Sequence, residues 1–214
     1  MSLKEQLEMQ VQNSANRIPE EKRNIFAKSM QNLKDSGITE KAIKEGDKAG
    51  SFTLPNAKGE NISLDALLEQ GPVVLSFYRG AWCPYCNLEL KALQEKLPEI
   101  ESLGAKLLAI SPQVPDKSLS TAEKNELEFE VLSDVGNQVA RQYGLVFEID
   151  EDVRAVYDDF GIDMNDYNGD SSYTLPIPST FVIDTDATVV KAHNDVDHRK
   201  RLEPDEIIET LQAI

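Results

Sequence analysis

Residues 73–86 read VVLSFYRGAWCPYC, in which an apolar run ends at Tyr78 and two cysteines, Cys83 and Cys86, follow a few residues later. A continuous apolar run bounded by glycine and proline is typical of a central strand that is buried on both faces. Beyond the cysteines, leucines recur at helical spacing as far as Gly104. The sequence therefore predicts that the two cysteines lie where a buried strand passes into a helix.

Further strand and helix patterns alternate along the chain on both sides of this junction. The other predicted elements are a hairpin of residues 52–55 and 61–64, strands over 106–110 and near 129–132, helices near 116–126, 136–143 and 151–160, a hairpin of 179–184 and 188–192, and a helix from Pro204 to Ile214. Strands that alternate with helices and end in a hairpin and a helix define an α/β sandwich around a mixed central sheet.

The chain divides by composition into two parts. Residues 1–45 are polar with apolar positions at helical spacing, and no strand pattern occurs among them. We expect a helical N-terminal extension over 1–45 and one catalytic domain over 46–214, because 214 residues suffice for a single buried core and an appendage.

The charge of the chain limits its partners. The sequence has 22 Lys and Arg against 38 Asp and Glu, a net charge of −16. Such a surface repels nucleic-acid backbones and anionic lipid, so neither nucleic acid nor a membrane is an expected partner. The first residues lack the apolar stretch of about 7 to 15 residues found in secretory signals. A cytoplasmic location is expected.

The two cysteines are better explained by chemistry than by stability, because a disulfide that closes so short a loop removes little entropy from the unfolded chain. At a helix N-terminus a thiolate is stabilised by unpaired N–H groups and the helix dipole, and the pKa of cysteine can fall from about 8.5 to roughly 3.5–7.5. Pro84 suits the first helical turn. Arg79 can add a positive charge beside Cys83. Cys86, one helical turn further on, can then attack an oxidised Cys83.

A zinc site is the alternative chemistry for the same pair. Cys83 and Cys86 with His193 and His198 would supply four ligands of the right type. However, more than a hundred residues separate the cysteines from the histidines, whereas structural zinc sites draw their ligands from nearby segments. We therefore expect both histidines to be surface residues, and no metal or other cofactor.

Short segments in a consistent order resemble the peroxiredoxin branch of the thioredoxin fold, the alkyl hydroperoxide reductase and thiol-specific antioxidant family. The matching segments are Glu45–Ala49, Phe52–Leu54, Phe77-Tyr78, Leu132–Asp134, Val139–Gly144 and Ser179–Asp184. The resemblance implies a thioredoxin-like sandwich with a mixed central sheet and an N-terminal β-hairpin.

An ungapped match to the peroxiredoxin motif, Pro-x-x-x-Thr/Ser-x-x-Cys, assigns one set of roles. It places Arg79 at the proline, Cys83 at the threonine and Cys86 at the peroxidatic cysteine. The family also holds an arginine beside its peroxide site, often just before the strand that matches Ser179–Asp184, and this chain has Pro178 there.

A match to thioredoxins assigns the opposite roles. Trp82-Cys83-Pro84-Tyr85-Cys86 then has the Trp-Cys-x-x-Cys pattern, in which Cys83 attacks and Cys86 resolves. In that alignment Pro178 is the proline, typically cis, that faces the disulfide. The sequence does not choose between the two alignments.

Three functions remain open. The resemblance and the dithiol favour an enzyme that reduces hydrogen peroxide or an organic hydroperoxide and forms a Cys83–Cys86 disulfide, which a thioredoxin or glutathione system then reduces. The alternatives are a reductase of protein disulfides and a redox-switched binding protein that acts through residues 1–45. The amphipathic extension also suits a subunit interface, so a homodimer is a further expectation.

Overall fold

The structure is a computed structural model that describes residues 1–214. The helices are α1 (Leu3–Arg17), α2 (Glu20–Asp35), α3 (Ile38–Lys41), α4 (Leu64–Leu68), α5 (Pro84–Ser102), α6 (Pro115–Asn125), α7 (Gln138–Gln142), α8 (Glu151–Asp159), α9 (Met164–Asn168) and α10 (Pro204–Gln212). The strands are β1 (Thr53–Pro55), β2 (Asn61–Ser63), β3 (Val73–Phe77), β4 (Lys106–Ser111), β5 (Glu130–Ser133), β6 (Val146–Glu148), β7 (Thr174–Pro176), β8 (Ser179–Ile183) and β9 (Val189–Asn194). None of the helices is long and apolar enough to cross a membrane.

The main sheet has five strands in the order β5-β4-β3-β8-β9. The middle strand, β3, pairs in parallel with β4, from Val73 opposite Lys106 to Phe77 opposite Ile110, and pairs antiparallel with β8. β5 extends the sheet in parallel and β9 extends it antiparallel. The predicted mixed central sheet is therefore confirmed, and the strand that leads to the cysteines is its centre.

The side chains of β3 contribute to two separate apolar layers, one on each face of the sheet. Val74 belongs to the layer beneath α5, whereas Val73, Leu75 and Phe77 belong to the layer on the opposite face. All five residues of the strand are buried. This is the pattern expected of a strand covered on both sides, and it explains why its sequence is apolar throughout.

The N-terminal helices pack onto the rest of the chain near the cysteines. Leu3 and Leu7 of α1 are buried in the same apolar layer as α5. The N–H groups of Leu3 and Lys4 donate to the carboxylate of Glu203, just before α10. α2 lies against α8 through the rings of Phe26 and Tyr157. The division of the chain into two domains at residue 45 stays a prediction.

Three features were not predicted, the first of which is the short helix α4 over Leu64–Leu68. β6 and β7 form a small antiparallel sheet of three residues each, too short for an alternating pattern to be recognised. Residues 164–168 form the short helix α9, whose first turn is capped because Asp163 accepts hydrogen bonds from the N–H groups of Asn165 and Asp166.

Candidate active site

The cysteine motif lies at the junction that the sequence predicts. β3 ends at Phe77, and α5 begins with Pro84 in its first turn and Cys83 as the N-cap residue. Cys86 is the third residue of the helix, one turn from Cys83. The arrangement directs the positive end of the helix dipole toward Cys83.

The loop between strand and helix is held in one conformation by neighbouring polar groups. The side-chain oxygen of Gln113 accepts a hydrogen bond from the N–H of Ala81 (2.8 Å), and Asn87 donates to the carbonyl of Ala81 (2.8 Å). Gly80 has a φ of +152°, and a Cβ at this position would lie 2.5 Å from Nε1 of Trp82. Only glycine therefore lets the loop pass so close to the indole.

Both cysteines are free thiols, and neither is exposed to solvent. Burial raises the pKa of each thiol. At Cys83, hydrogen bonding from Cys86 and the charges of Arg79 and Arg201 outweigh burial, so its pKa is lowered. At Cys86, burial and the neighbouring Cys83 thiolate act in the same direction, so its pKa is raised. The pair is therefore arranged to hold one negative charge, on Cys83.

Arg79 is a buried cation without a hydrogen-bond partner for its Nε. Its guanidinium lies over the ring of Trp82, 4.8 Å from the centroid. Between the two arginines, Arg79 has the larger effect on the pKa of Cys83. The role of Arg79 as a source of positive charge beside Cys83 stays a prediction.

A second buried arginine, Arg201, faces the other cysteine. Its Nη2 lies 3.5 Å from Sγ of Cys86, and its Nε donates to Oε2 of Glu89 at 2.6 Å. The same guanidinium donates to the carbonyls of His198 and Lys200. Between the two arginines, Arg201 has the larger effect on the pKa of Cys86. Each sulfur therefore has its own nearest cation.

Glu89 completes this buried cluster. Its carboxylate accepts hydrogen bonds from Arg201 and from the hydroxyl of Thr180 (3.4 Å). Burial raises the pKa of Glu89 to about 7, although the charge of Arg201 opposes the shift. Sequence reasoning missed both Glu89 and Arg201. One signal was available: Glu89 is one turn after Cys86 and one turn before Leu93, on the apolar face of α5.

The remaining predicted site residues surround the same region. Tyr85 is buried, and its hydroxyl contacts that of Ser14 on α1 (3.3 Å). Pro178 borders a small cleft, of about 40 Å³, that also reaches Arg79 and His198. The peptide bond before Pro178 is trans, unlike the typically cis proline with which the thioredoxin alignment matches it.

Both histidines are half-buried, whereas the sequence led us to expect exposed surface residues. The ring of His198 stands edge-on to that of Tyr85, with 5.4 Å between centroids, and burial together with Arg79 and Arg201 holds its pKa well below the ordinary value. His193 is partly exposed on β9. The structure contains no cluster of three or more His, Cys, Asp or Glu residues that could hold a metal ion, so the four zinc ligands considered above are not assembled.

Sequence comparisons identify the family. The sequence model of the AhpC/TSA family matches residues 45–192. Over 154 residues, 72% of this chain, the sequence is 31% identical to the putative peroxiredoxin Rv2521 of Mycobacterium tuberculosis (strain H37Rv), of which 87% is covered. Over 103 residues, 48% of this chain, it is 36% identical to peroxiredoxin Bcp of Escherichia coli (strain K12). That second alignment spans 65% of the length of the relative.

Solved structures agree with this assignment. Peroxidoxin BcpB from Mycobacterium tuberculosis superimposes with a TM-score of 0.63 at 28% identity, over 80% of this chain and 98% of that one. The bacterioferritin comigratory protein of Xanthomonas campestris, at 21% identity, has the same fold with a TM-score of 0.57, over 76% of this chain and 90% of that one. The chain therefore belongs to the AhpC/TSA family, and its fold is the thioredoxin-like fold of the peroxiredoxins.

Proposed function

We propose that this protein is a thiol-dependent peroxidase that reduces hydrogen peroxide or organic hydroperoxides through the Cys83/Cys86 dithiol. The observation that supports the proposal best is the pairing of two free cysteines with two buried arginines at the start of α5. Membership of the AhpC/TSA family supports the same chemistry.

Cys83 is the attacking sulfur in this proposal, because it is the N-cap residue and its pKa is lowered. Its thiolate donates an electron pair to the terminal oxygen of the hydroperoxide, an S–O bond forms and the O–O bond breaks. The remaining oxygen leaves with the bonding electrons and takes up a proton, giving an alcohol or water. Arg79 stabilises the negative charge before and during this step.

Cys86 then resolves the sulfenic acid that forms on Cys83. Once Cys83 is oxidised, the negative charge that raised the pKa of Cys86 is gone, and Arg201 remains 3.5 Å from its sulfur. The Cys86 thiolate attacks the Cys83 sulfur, an S–S bond forms, and hydroxide leaves and is protonated to water. Glu89, whose pKa is raised to about 7, shares the Arg201 guanidinium with this sulfur.

The cycle closes when an external thiol reductant returns two electrons and two protons to the disulfide. A thioredoxin-type dithiol or a glutathione system supplies them in this proposal, as is ordinary for a cysteine pair in a reducing compartment. A cytoplasmic location is part of the same proposal. Self-association through residues 1–45 stays a prediction, which sedimentation of the purified protein checks.

The test is peroxide consumption in the presence of a thiol reductant by wild type, Cys83→Ser and Cys86→Ser. We expect Cys83→Ser to be inactive, and Cys86→Ser, once reduced and freed of reductant, to consume one peroxide per chain and to retain a sulfenic acid that dimedone labels. Loss of this single turnover in Cys86→Ser, with retention in Cys83→Ser, would reverse the two roles. No wild-type activity above that of free thiol would refute the proposed function.

A second candidate, reduction of protein disulfides, is favoured by the position of Cys83 as an N-cap residue, which agrees with the thioredoxin alignment. The complete burial of both sulfurs opposes it, because a folded disulfide substrate cannot reach them in this conformation. Insulin reduction measures this activity directly. A rate as fast as that of a thioredoxin would make disulfide reduction the main function.

A further inference from the structure

A cavity of about 390 Å³ lies between the cysteine motif and the N-terminal helices. Eight of its 17 lining residues lie between Val11 and Met30, outside the segment that matches the family. The opposite wall contains Trp82 and Pro84, the two neighbours of Cys83 in the sequence. A ligand in this space therefore touches both the extension and the residues that flank the attacking sulfur.

The cavity wall is mainly apolar and contains several aromatic rings. Eleven of the 17 lining residues are hydrophobic. Six of the 17 contribute aromatic rings: Phe26, Trp82, Tyr85, Tyr157, Phe160 and His198. Concave apolar sites of this kind bind the apolar body of a small molecule, and aromatic walls suit flat or bulky groups.

The wall also carries positive charge from Arg23, Arg79 and Arg199, and Arg79 is the buried one of the three. Arg79 lines the cavity, and its Nε has no hydrogen-bond partner in the protein. A buried donor without a partner is costly, and a ligand oxygen would satisfy it. Because Arg79 also lowers the pKa of Cys83, an oxygen held by Arg79 lies in the electrostatic field of the reactive thiolate.

We propose that this cavity binds the apolar body of a bulky organic hydroperoxide, with its oxygens toward Arg79, and that α1 and α2 determine which peroxides are reduced fastest. The inference rests on the proposed peroxidase function and adds to it a substrate class and a binding wall. A lipid bilayer is not the source of the substrate in this proposal, because the net charge of −16 repels anionic membrane surfaces.

Direct binding tests the site without turnover. Trp82 is the only tryptophan and lines the cavity, so its fluorescence reports occupancy. The probe is cumyl alcohol, the product of cumene hydroperoxide, with tert-butanol as the small comparison. We expect saturable binding of cumyl alcohol and about tenfold weaker binding of tert-butanol. Equal affinities, or no saturable binding of cumyl alcohol, would overturn the proposal.

Two variants connect the cavity to specificity. Met30→Gln makes the wall polar, and Ala27→Phe, at an exposed position, fills the space with an apolar ring. The control is Met9→Gln, the same change at a residue that is 51% exposed and outside the cavity. The measured quantity is the ratio of kcat/KM for cumene hydroperoxide to kcat/KM for hydrogen peroxide. We expect this ratio to fall about fivefold or more in both cavity variants and to be unchanged in the control.

The outcomes separate this inference from the function on which it rests. If wild type reduces both peroxides and the ratio is unchanged in both cavity variants, the role of the cavity is wrong and the peroxidase function stands. If cumyl alcohol binds but neither peroxide is reduced, the peroxidase function fails, and the assignment of a hydroperoxide substrate fails with it.

Discussion

Arg201 lies with its Nη2 3.5 Å from the sulfur of Cys86, although 115 residues separate the two in sequence. The same guanidinium is paired at 2.6 Å with Glu89, and both charged side chains are almost completely buried, with exposed fractions of 1% and 2%. One buried cation is thus shared between a carboxylate and a thiol. Substitution of Arg201 or Glu89 can therefore test how this cation affects the carboxylate and the thiol.

Arg201→Met should both destabilise the protein and slow its thiol chemistry. Removal of one partner leaves Glu89 as a buried, unpaired carboxyl group, at a cost of about 3–5 kcal/mol in the free energy of unfolding. The double variant Arg201→Met/Glu89→Leu should recover most of this stability and none of the lost reactivity. Urea unfolding and the rate of peroxide consumption measure the two effects. Recovery of both in the double variant would contradict the role assigned to Arg201.

Arg79→Gln should raise the pKa of Cys83. A cation beside a thiolate lowers the thiol pKa by about 1–3 units, and Arg79 is the arginine with the larger effect on Cys83. In a Cys86→Ser background, the midpoint of the iodoacetamide alkylation rate against pH should therefore move upward by that amount. Arg79→Lys retains the charge and should keep most of the original midpoint. Identical midpoints in all three proteins would exclude Arg79 as a source of the shift.

Glu89 should make the protein less stable as the pH rises from about 4.5 to 7. Burial raises the pKa of Glu89 from 4.5 to about 7, so in this interval the folded chain binds more protons than the unfolded chain. The stabilising contribution of Glu89 to the free energy of unfolding is therefore fully present below pH 4.5 and is lost as the pH rises through 7. Between pH 5 and 8, the free energy of unfolding of wild type should fall by roughly 1–3 kcal/mol relative to that of Glu89→Gln.

Urea unfolding at several pH values measures this difference. Glu95→Gln, at an exposed position of the same helix, is the matched control and should follow wild type. Parallel curves for wild type and Glu89→Gln would show that the folded state does not perturb this carboxyl group.

Gly80→Ala should displace the indole of Trp82. The added Cβ would lie 2.5 Å from Nε1 and 2.9 Å from Cδ1 of Trp82, at a φ of +152°. We expect the free energy of unfolding to fall by about 1–3 kcal/mol. We also expect a shift in tryptophan emission, which comes from Trp82 alone because the chain has one tryptophan. Gly46→Ala is the control, because Gly46 also has a positive φ but no atom within 4 Å of an added Cβ. A similar emission shift in both variants would contradict the steric explanation.

The sequence was sufficient for the sheet and for the junction that carries the cysteines. β3 and α5 each have a strong local signal, namely an unbroken apolar run and a helical apolar period. The same reasoning failed for Arg201, because it lies in the basic segment His198–Leu202, which resembles an exposed loop. Its partner Glu89 is 112 residues away, and only the folded sheet brings them together. Local sequence patterns cannot predict a contact between two residues that are so far apart in the sequence.

The complete burial of both sulfurs has different consequences for the two halves of the proposed cycle, the reaction with peroxide and the reduction of the disulfide. A hydroperoxide is small enough to enter between side chains, whereas a reductase must bring its own sulfur within about 2 Å of the disulfide to form a mixed disulfide. Helix α1, joined to Tyr85 through Ser14, stands over this face of α5 and must move aside first. If the proposed cycle is right, we expect the detachment of α1 to limit how often a protein reductant recycles the dithiol, however fast the peroxide reacts.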